Sequence, residues 1–312
     1  MARPIIIDTD PGQDDAIAIL LALASPELEV LGLTTVAGNV PLERTTENTL
    51  KLIELAGRPD VPVYAGCPRP LLRAPVSAEH VHGETGLNGA DLNKPTTPLQ
   101  SEHAVTWLIE TLSKAKEPIT LCPLGPLTNI ASALIQAPAI ARNISAIVAM
   151  AGAVRTHGNV TPAAEFNVFA DPHAADVVFR AGCPITLMPL DVTHRALITE
   201  TRLAEFASLP APVGPACHGM LSFYFRPNET RFGTPGSPLH DPCVIAYLLE
   251  PEIFEGKHVN VQVETVSALT LGMTLADWWG SSEPNAHVMQ TLDDDRFFAL
   301  ILERLARLDQ PS

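Results

Sequence analysis

Basic residues are scarce in this sequence. Its 312 residues include 20 lysines and arginines against 35 aspartates and glutamates, which gives a formal net charge of −15 at pH 7. Nucleic acids and anionic membranes are bound through basic surfaces, so the composition argues against both as partners. Small neutral or cationic molecules and metal cations are the ligands that it leaves open.

Cysteines and long apolar segments are also few. The five cysteines form no C-x-x-C pair, which argues against a disulfide framework or a zinc ribbon and indicates a reducing compartment. No apolar run approaches the roughly 20 residues of a membrane span, and the run near the N-terminus is too short for a signal peptide. We therefore expect a soluble, cytoplasmic protein.

Short apolar segments that suit buried strands alternate with longer segments of helical spacing. Strands are predicted at residues 5–8, 29–35, 61–64, 119–122, 144–150, 184–189, 258–264 and 270–275. Helices are predicted at 14–24, 42–56, 103–114, 126–135, 172–180, 200–207, 217–224, 241–249 and 296–308. This order predicts one α/β domain over residues 1–312, with a mostly parallel central sheet and helices on both faces.

One segment breaks the alternation. Residues 69–97 are rich in proline, glycine and polar side chains and have no helical or strand pattern. Loops of this length in a compact domain are uncommon and are usually functional. We predict that residues 69–97 form an active-site flap.

Polar side chains follow the predicted strands at the point where each strand ends. The first strand leads into DTDPGQDD, which places four carboxylates within residues 8–15, and Asn39 follows the second strand. The fifth strand ends at Met150 and leads into the polar stretch 157–167. In open α/β sheets, ligands bind beyond the carboxyl ends of the strands, so these groups should share one pocket.

A pocket lined by carboxylates and amides needs a cation. Oxygen ligands without cysteine favour Ca²⁺ or Mg²⁺ over zinc. The EF-hand alternative fails, because counting from Asp8 its required Gly and Glu positions are Gln13 and Ile19. A simpler alternative for Asp14 or Asp15 alone is that it caps the first helix.

Several motifs together resemble one known family. DTDPGQDDA at 8–16, TTVAGN at 34–39, HVHGETG at 80–86, GPLTNIA at 125–131, AEFNVFADP at 164–172 and HDPCVIAY at 240–247 occur in this order, and LTLGMTLAD at 269–277 also fits. They resemble the blocks of the inosine–uridine-preferring nucleoside hydrolases and cover essentially the whole chain. The resemblance implies the Rossmann-like nucleoside hydrolase fold and Ca²⁺-dependent hydrolysis of the N-glycosidic bond of ribonucleosides.

The resemblance also implies roles for individual residues. It implies that Ca²⁺ is bound by the side chains of Asp10, Asp15 and Asp241 and by the backbone carbonyl of Leu124. It assigns to substrate binding Asp14, Asn39, Met150, Asn159, Glu165, Asn167 and Asp241. It places His82 and His240 near the base, and it implies a homodimer or homotetramer that acts in nucleoside salvage.

The chemistry of ribosyl C–N cleavage suits these residues. Asp10 is the candidate base for the attacking water, and Asn39 is counted with it among the catalytic residues. His240 is the candidate acid for the leaving base, with His82 second. Groups that bind ribose hydroxyls predict selection of ribonucleosides over 2′-deoxyribonucleosides.

Two alternatives remain open from the sequence. The IIIDTD segment at 5–10 also resembles the D-x-D motif of haloacid-dehalogenase phosphatases, although the distal acidic pair expected there is replaced by HDPC. A non-catalytic nucleoside- or ribose-binding protein could share the fold. Within the hydrolase reading, the two histidines favour pyrimidine nucleosides or inosine over strictly purine substrates.

Overall fold

A computed structural model describes residues 2–225 and 236–308, and within them a nine-stranded sheet forms the centre of the molecule. The strands of the described residues are β1 (Arg3–Thr9), β2 (Leu28–Thr35), β3 (Val63–Ala65), β4 (Ile119–Pro123), β5 (Ile144–Met150), β6 (Ile185–Met188), β7 (Leu197–Ile198), β8 (Ser237–Pro238), β9 (Phe254–Val263), β10 (Thr274–Asp277) and β11 (Ala286–Leu292). The predicted domain bounds, 1–312, include residues 1, 226–235 and 309–312, which lie outside the described residues.

The sheet is parallel over most of its width. Its order is β10-β9-β11-β6-β5-β4-β1-β2-β3, and the pairs from β11 to β3 are all parallel. Only β9 runs antiparallel, to β11 on one side and to β10 on the other. The mostly parallel sheet predicted from the sequence is therefore confirmed. Strands β7 and β8 form a separate two-stranded pair.

Helices cover both faces of the sheet. They are α1 (Gln13–Leu23), α2 (Leu42–Leu55), α3 (Glu79–His82), α4 (Ala104–Lys114), α5 (Thr128–Gln136), α6 (Phe166–Ala170), α7 (Pro172–Phe179), α8 (Leu190–Thr193), α9 (Glu200–Ala207), α10 (Val213–Tyr224), α11 (Pro242–Leu249) and α12 (Asp294–Leu305). One core cluster joins α1, α2, α10, α11 and α12 to the sheet, and a second joins α4, α5 and α7 to the other face. None of the helices in the described part of the chain is long and apolar enough to cross a membrane.

Strand β1 and helix α1 form the centre of the molecule. Ile5, Ile6 and Ile7 are fully buried because β1 pairs with β2 and β4 and helices cover both of its faces. Helix α1 is buried along its whole length, since α2, α10, α11 and α12 pack around it. Its first turn carries Asp14 and Asp15, where the exposed N–H groups of a helix favour negative charge.

The short elements α3, α6, α8, β7 and β8 were not predicted from the sequence, and two larger differences concern β11 and β10. Strand β11 was not predicted, because His287, Gln290 and Thr291 interrupt the apolar pattern of the segment Ala286–Leu292. Strand β10 begins later than the predicted 270–275, because Met273 N–H donates to the carbonyl of Thr270 and closes a turn there. In both cases local turn chemistry and pairing with β9 outweigh the hydrophobic pattern.

The segment 69–97 is tied to the domain at several points. Leu71 N–H donates to Asp171 Oδ2 at 2.8 Å near its start. Near its end, Glu54 Oε1 accepts hydrogen bonds from the backbone and hydroxyl groups of Thr96 and Thr97. Between these points the segment forms the short helix α3, which brings His82 to the pocket described below. Its action as a flap stays a prediction.

Truncation of Leu20 on α1 should destabilise the whole domain. The side chain is fully buried, so Leu20→Ala removes packed methyl groups and leaves a cavity, at a cost of about 2–5 kcal/mol in the free energy of unfolding. Urea unfolding followed by circular dichroism measures the change. The matched control is Ile135→Ala on α5, where the side chain is 54% exposed, and its effect should stay within about 0.5 kcal/mol. Equal effects of the two substitutions would contradict the central position of α1.

Candidate active site

The acidic residues singled out in the sequence meet at one end of the sheet. Asp10 lies in the loop between β1 and α1, and Asp14 and Asp15 lie in the first turn of α1. Asp241 is the N-cap residue of α11, which packs against α1. All four carboxylates are buried. The fold therefore brings together charges that the chain separates by more than 200 residues.

Asp10 is held tightly by its surroundings. Its Oδ2 atom accepts a hydrogen bond of 2.7 Å from Asn39 N–H, while no donor in the described part of the chain reaches its buried Oδ1 atom. A Cβ atom at Gly38 would lie 2.0 Å from Oδ2, and one at Gly125 would lie 2.2 Å from Oδ1. Burial, reinforced by the negative charge of Asp15, raises the pKa of Asp10 well above its ordinary value.

Asp15 is bonded mainly to the loop that precedes it. Its carboxylate accepts hydrogen bonds from Thr9 Oγ1 at 2.6 Å and from Gly12 N–H at 2.9 Å. Asn39 Nδ2 donates to the Asp15 Oδ2 atom at 3.3 Å and to the Asp10 carbonyl at 3.2 Å. Asn39 therefore connects two of the acidic residues.

Asp14, Asp15 and Asp241 form a cluster with the chemistry of a cation site. One oxygen from each lies within 4.8 Å of the others. Among the described residues, Asp14 Oδ1 is buried without a hydrogen-bond partner. Burial and the neighbouring Asp15 charge raise the pKa of Asp14 to about 7, and burial with the Asp14 charge raises that of Asp241 well above its ordinary range. No lysine or arginine of the described chain lines the pocket, so a divalent cation fits this set of donors.

This cluster overlaps with the predicted metal ligands without matching them. It contains Asp15 and Asp241, and it includes Asp14, which was predicted to bind substrate, in place of Asp10. The Leu124 carbonyl, the fourth predicted ligand, accepts a hydrogen bond of 2.6 Å from Asn167 Nδ2. The division of these oxygens between metal and substrate stays a prediction.

The predicted ribose-binding residues line the same pocket. Asn167 Nδ2 also donates to the Met150 carbonyl at 2.9 Å, which fixes the amide above the end of β5. Asn159 Oδ1 accepts a hydrogen bond of 2.9 Å from Phe166 N–H. The pocket brings together, among others, Asp14, Asn39, Leu124, Met150, Asn159, Glu165, Asn167 and Asp241.

Glu165 combines a structural role with a place in the pocket. Its carboxylate caps helix α6 by accepting from Asn167 N–H at 2.8 Å, and it accepts from Gly152 N–H at 2.8 Å. Burial raises the pKa of Glu165 to about 7, although these hydrogen bonds oppose the rise. Glu165 thus fixes the loop after β5 at the pocket wall.

The two predicted histidines also face the pocket. His82 Nδ1 lies 2.7 Å from Gln13 Oε1, and its ring stacks on Tyr224 with centroids 5.8 Å apart. His240 Nδ1 lies 2.7 Å from Thr193 Oγ1. Burial lowers the pKa of His240 well below its ordinary value, with smaller contributions from His194 and His82. Both rings therefore line the pocket, His82 with its Nδ1 atom against a residue of α1 and His240 with its Nδ1 atom against a residue of α8.

Sequence reasoning missed His194, which lines the pocket next to His240. Their ring centroids are 5.8 Å apart, and burial lowers the pKa of His194. The available signal was its position shortly after the sixth strand, because the rule that located the other residues considers strand ends. His80 and Tyr224 line the pocket as well.

Comparison with known proteins agrees with the fold. The sequence profile of the family described as "Inosine-uridine preferring nucleoside hydrolase" matches residues 5–299. The chain is 46% identical to the pyrimidine-specific ribonucleoside hydrolase RihA of Photobacterium profundum, over 98% of this chain and 99% of the relative. It is 52% identical to an uncharacterized protein of Schizosaccharomyces pombe, over 97% and 99% of the two chains.

A solved structure shows the same fold. The purine-preferring ribonucleoside hydrolase from Gardnerella vaginalis superposes with a TM-score of 0.91 at 33% identity, over 98% of this chain and 99% of that one. The chain therefore belongs to the inosine-uridine preferring nucleoside hydrolase family and is a ribonucleoside hydrolase. The family resemblance seen in the sequence is confirmed, and the chain is not a haloacid-dehalogenase phosphatase.

A methyl group at Gly38 should disturb catalysis more than folding. In Gly38→Ala the new Cβ would lie 2.0 Å from Asp10 Oδ2 and 2.9 Å from Pro126 Cδ, so the Asp10 carboxylate must move. If Asp10 has the catalytic role predicted from the sequence, its misplacement by about 1 Å should lower kcat/KM about a hundredfold, which a ribonucleoside hydrolysis assay measures.

The matched control for this substitution is Gly57→Ala. Gly57 has φ +67°, and apart from its chain neighbours no described atom lies within 4 Å of an added Cβ, so the substitution strains only the backbone. It should cost about 1 kcal/mol of stability and leave kcat/KM unchanged. An unaltered rate in Gly38→Ala would contradict the importance of the Asp10 position.

Proposed function

We propose that this protein hydrolyses the N-glycosidic bond of pyrimidine ribonucleosides in a Ca²⁺-dependent reaction, giving ribose and the free base. The observation that carries the proposal is the buried carboxylate cluster at the pocket, with oxygen atoms of Asp10 and Asp14 that no described residue satisfies. The pyrimidine preference is supported by the name of the RihA relative, which is more similar in sequence than the purine-preferring structure. Inosine is the next substrate to consider.

The cation would be held by acidic residues of the loop between β1 and α1, of the first turn of α1 and of the N-terminus of α11. Asp15 and Asp241 belong both to the predicted ligand set and to the observed cluster. Asp10 and the Leu124 carbonyl are the further ligands that the family resemblance implies. When bound, Ca²⁺ would lower the pKa of water in the site and balance the charge of the carboxylates.

Asp10 is the proposed base for the attacking water. Its Oδ1 atom is buried and has no donor among the described residues, so it is available to take a proton. Its Oδ2 atom is fixed by Asn39 N–H, and Gly38 and Gly125 enclose the carboxylate. This arrangement holds the base in one orientation before the substrate enters, which favours proton transfer.

The pocket offers matched groups for ribose hydroxyls. Among the described residues, Asn167 Nδ2 bonds within the protein while its Oδ1 atom can accept, and Asn159 Oδ1 bonds within the protein while its Nδ2 group can donate. Asp14 Oδ1 provides a further acceptor. Met150 contributes an apolar surface at the same wall. A site that pairs each hydroxyl in this way discriminates against a substrate that lacks one.

His240 is the proposed donor to the leaving base, and His82 is the second candidate. Both line the pocket, and His82 lies close enough to influence the pKa of His240. Hydrogen bonding to the departing base stabilises the negative charge that grows on it as the C–N bond breaks. The cytoplasmic location and the homodimeric or homotetrameric assembly expected from the sequence stay predictions.

A substrate panel tests the reaction and its selectivity together. Uridine and cytidine should release base faster than inosine and adenosine. 2′-Deoxyuridine should be slower than uridine by about 10⁴-fold, because a hydroxyl that the pocket binds is missing. Asp10→Ala should lower kcat with uridine by about 10³-fold through loss of the base. Ribose binding without base release in the wild-type protein would instead favour the non-catalytic binding protein.

Calcium should stabilise the folded protein measurably. After treatment with a chelator, addition of Ca²⁺ at a hundredfold excess over its dissociation constant should add about 2.7 kcal/mol to the free energy of unfolding, observed as a higher Tm. Asp241→Asn should abolish the increase. The control is Asp60→Asn, which alters an exposed carboxylate paired with Arg58 and should keep it. A Tm that does not respond to Ca²⁺ would contradict the cation site.

A further inference from the structure

The two pocket histidines are each held at Nδ1 by a side chain behind the pocket. His82 Nδ1 lies 2.7 Å from Gln13 Oε1, and His240 Nδ1 lies 2.7 Å from Thr193 Oγ1. A neutral imidazole carries one hydrogen, so one ring nitrogen donates and the other accepts. The partner at Nδ1 therefore decides which nitrogen carries the hydrogen.

Gln13 fixes the tautomer of His82. The Gln13 Nε2 atom donates to the carbonyls of His82 and Asn88, at 3.0 and 3.2 Å. Carbonyl oxygens only accept, so the amide cannot be turned around without losing both hydrogen bonds. Gln13 Oε1 must then face His82 Nδ1, which carries the hydrogen and donates it. The Nε2 atom of His82 is the acceptor of that ring.

Thr193 fixes the opposite tautomer on His240. The Thr193 side chain is fully buried, and within the described residues His240 Nδ1 is the only acceptor that its hydroxyl reaches. If Nδ1 carried the hydrogen, the buried hydroxyl would have no acceptor, which is unfavourable. The hydroxyl therefore donates to Nδ1, and the hydrogen of His240 is on Nε2.

We propose that Gln13 and Thr193 are positioning residues that give His82 and His240 opposite tautomers. His240 then presents Nε2–H to the pocket as a hydrogen-bond donor for an acceptor atom on the base, such as the carbonyl oxygen of a pyrimidine. This use of the donor rests on the proposed function. As the C–N bond breaks, the base oxygen becomes more negative, so a donor already in place stabilises the leaving group.

Nitrogen-15 NMR of the histidine side chains tests the assignment directly. The ligand-free full-length protein is measured at mildly alkaline pH, and the two rings are identified by the signals lost in H82N and H240N. The expected spectrum shows hydrogen on Nδ1 of His82 and on Nε2 of His240. The same tautomer in both rings, or the reverse assignment, would overturn the proposal. This measurement does not depend on catalysis.

Substitution of Thr193 tests the consequence for the reaction. Thr193→Val keeps the shape but removes the hydroxyl, so His240 should show a mixture of tautomers, and kcat with uridine should fall about tenfold with KM little changed. Thr193→Ser keeps the hydroxyl and should restore the single tautomer and most of kcat. An unchanged spectrum and kcat in Thr193→Val would overturn the proposal.

The two hypotheses fail in different ways. If the wild-type protein releases base from no nucleoside, the proposed function is wrong, while the NMR spectrum still decides the tautomers. If base is released but the spectrum shows the same tautomer in both rings, the hydrolase function stands and the proposed role of Gln13 and Thr193 is wrong. If Thr193→Val does not fold, the wild-type and Thr193→Ser spectra decide the question.

Discussion

The burial of several negative charges around one point is the constraint on which this structure depends. Burial alone raises the pKa of a carboxyl group, and each neighbouring carboxylate raises it further. Here Asp10, Asp14, Asp15 and Asp241 share one region, and no lysine or arginine of the described chain lines the pocket beside them. Such a cluster is costly in a folded protein unless hydrogen-bond donors and a cation compensate for it. The surrounding architecture supplies those donors.

The donors come from elements that lie side by side in the sheet. The end of β1 contributes Thr9, the loop after it contributes Gly12, and the loop after β2 contributes Asn39. Because neighbouring parallel strands end at the same edge, these loops meet without long excursions of the chain. The close approach of Asp10 to Gly38 and Gly125 follows from the same crowding. The parallel order of the strands therefore determines which backbone and side-chain groups can donate hydrogen bonds to the acidic residues.

Site residues can be predicted from the sequence when they follow a predicted strand or lie in a recognisable motif. Asp10, Asn39 and Asn167 could be located because they follow predicted strands, and the motifs give the order of the whole fold. Thr193 and Gln13 could not be located, since they act through histidines 47 and 69 residues away that only the tertiary structure brings near. Strand β11 was missed for a related reason, because its pairing with β6 and β9 outweighs a mixed polar pattern.

Helix α1 links the site to the core, because the acidic first turn and the buried body belong to one element. Segments that exchange their amide hydrogens through local fluctuations are those with few buried contacts. Helix α1 has buried side chains from Gln13 to Leu23, so it cannot open without loss of packing against four other helices. Its amides should exchange only through global unfolding. The carboxylates of its first turn are therefore carried by an element that the core holds in place, so their backbone positions change only when that packing is lost.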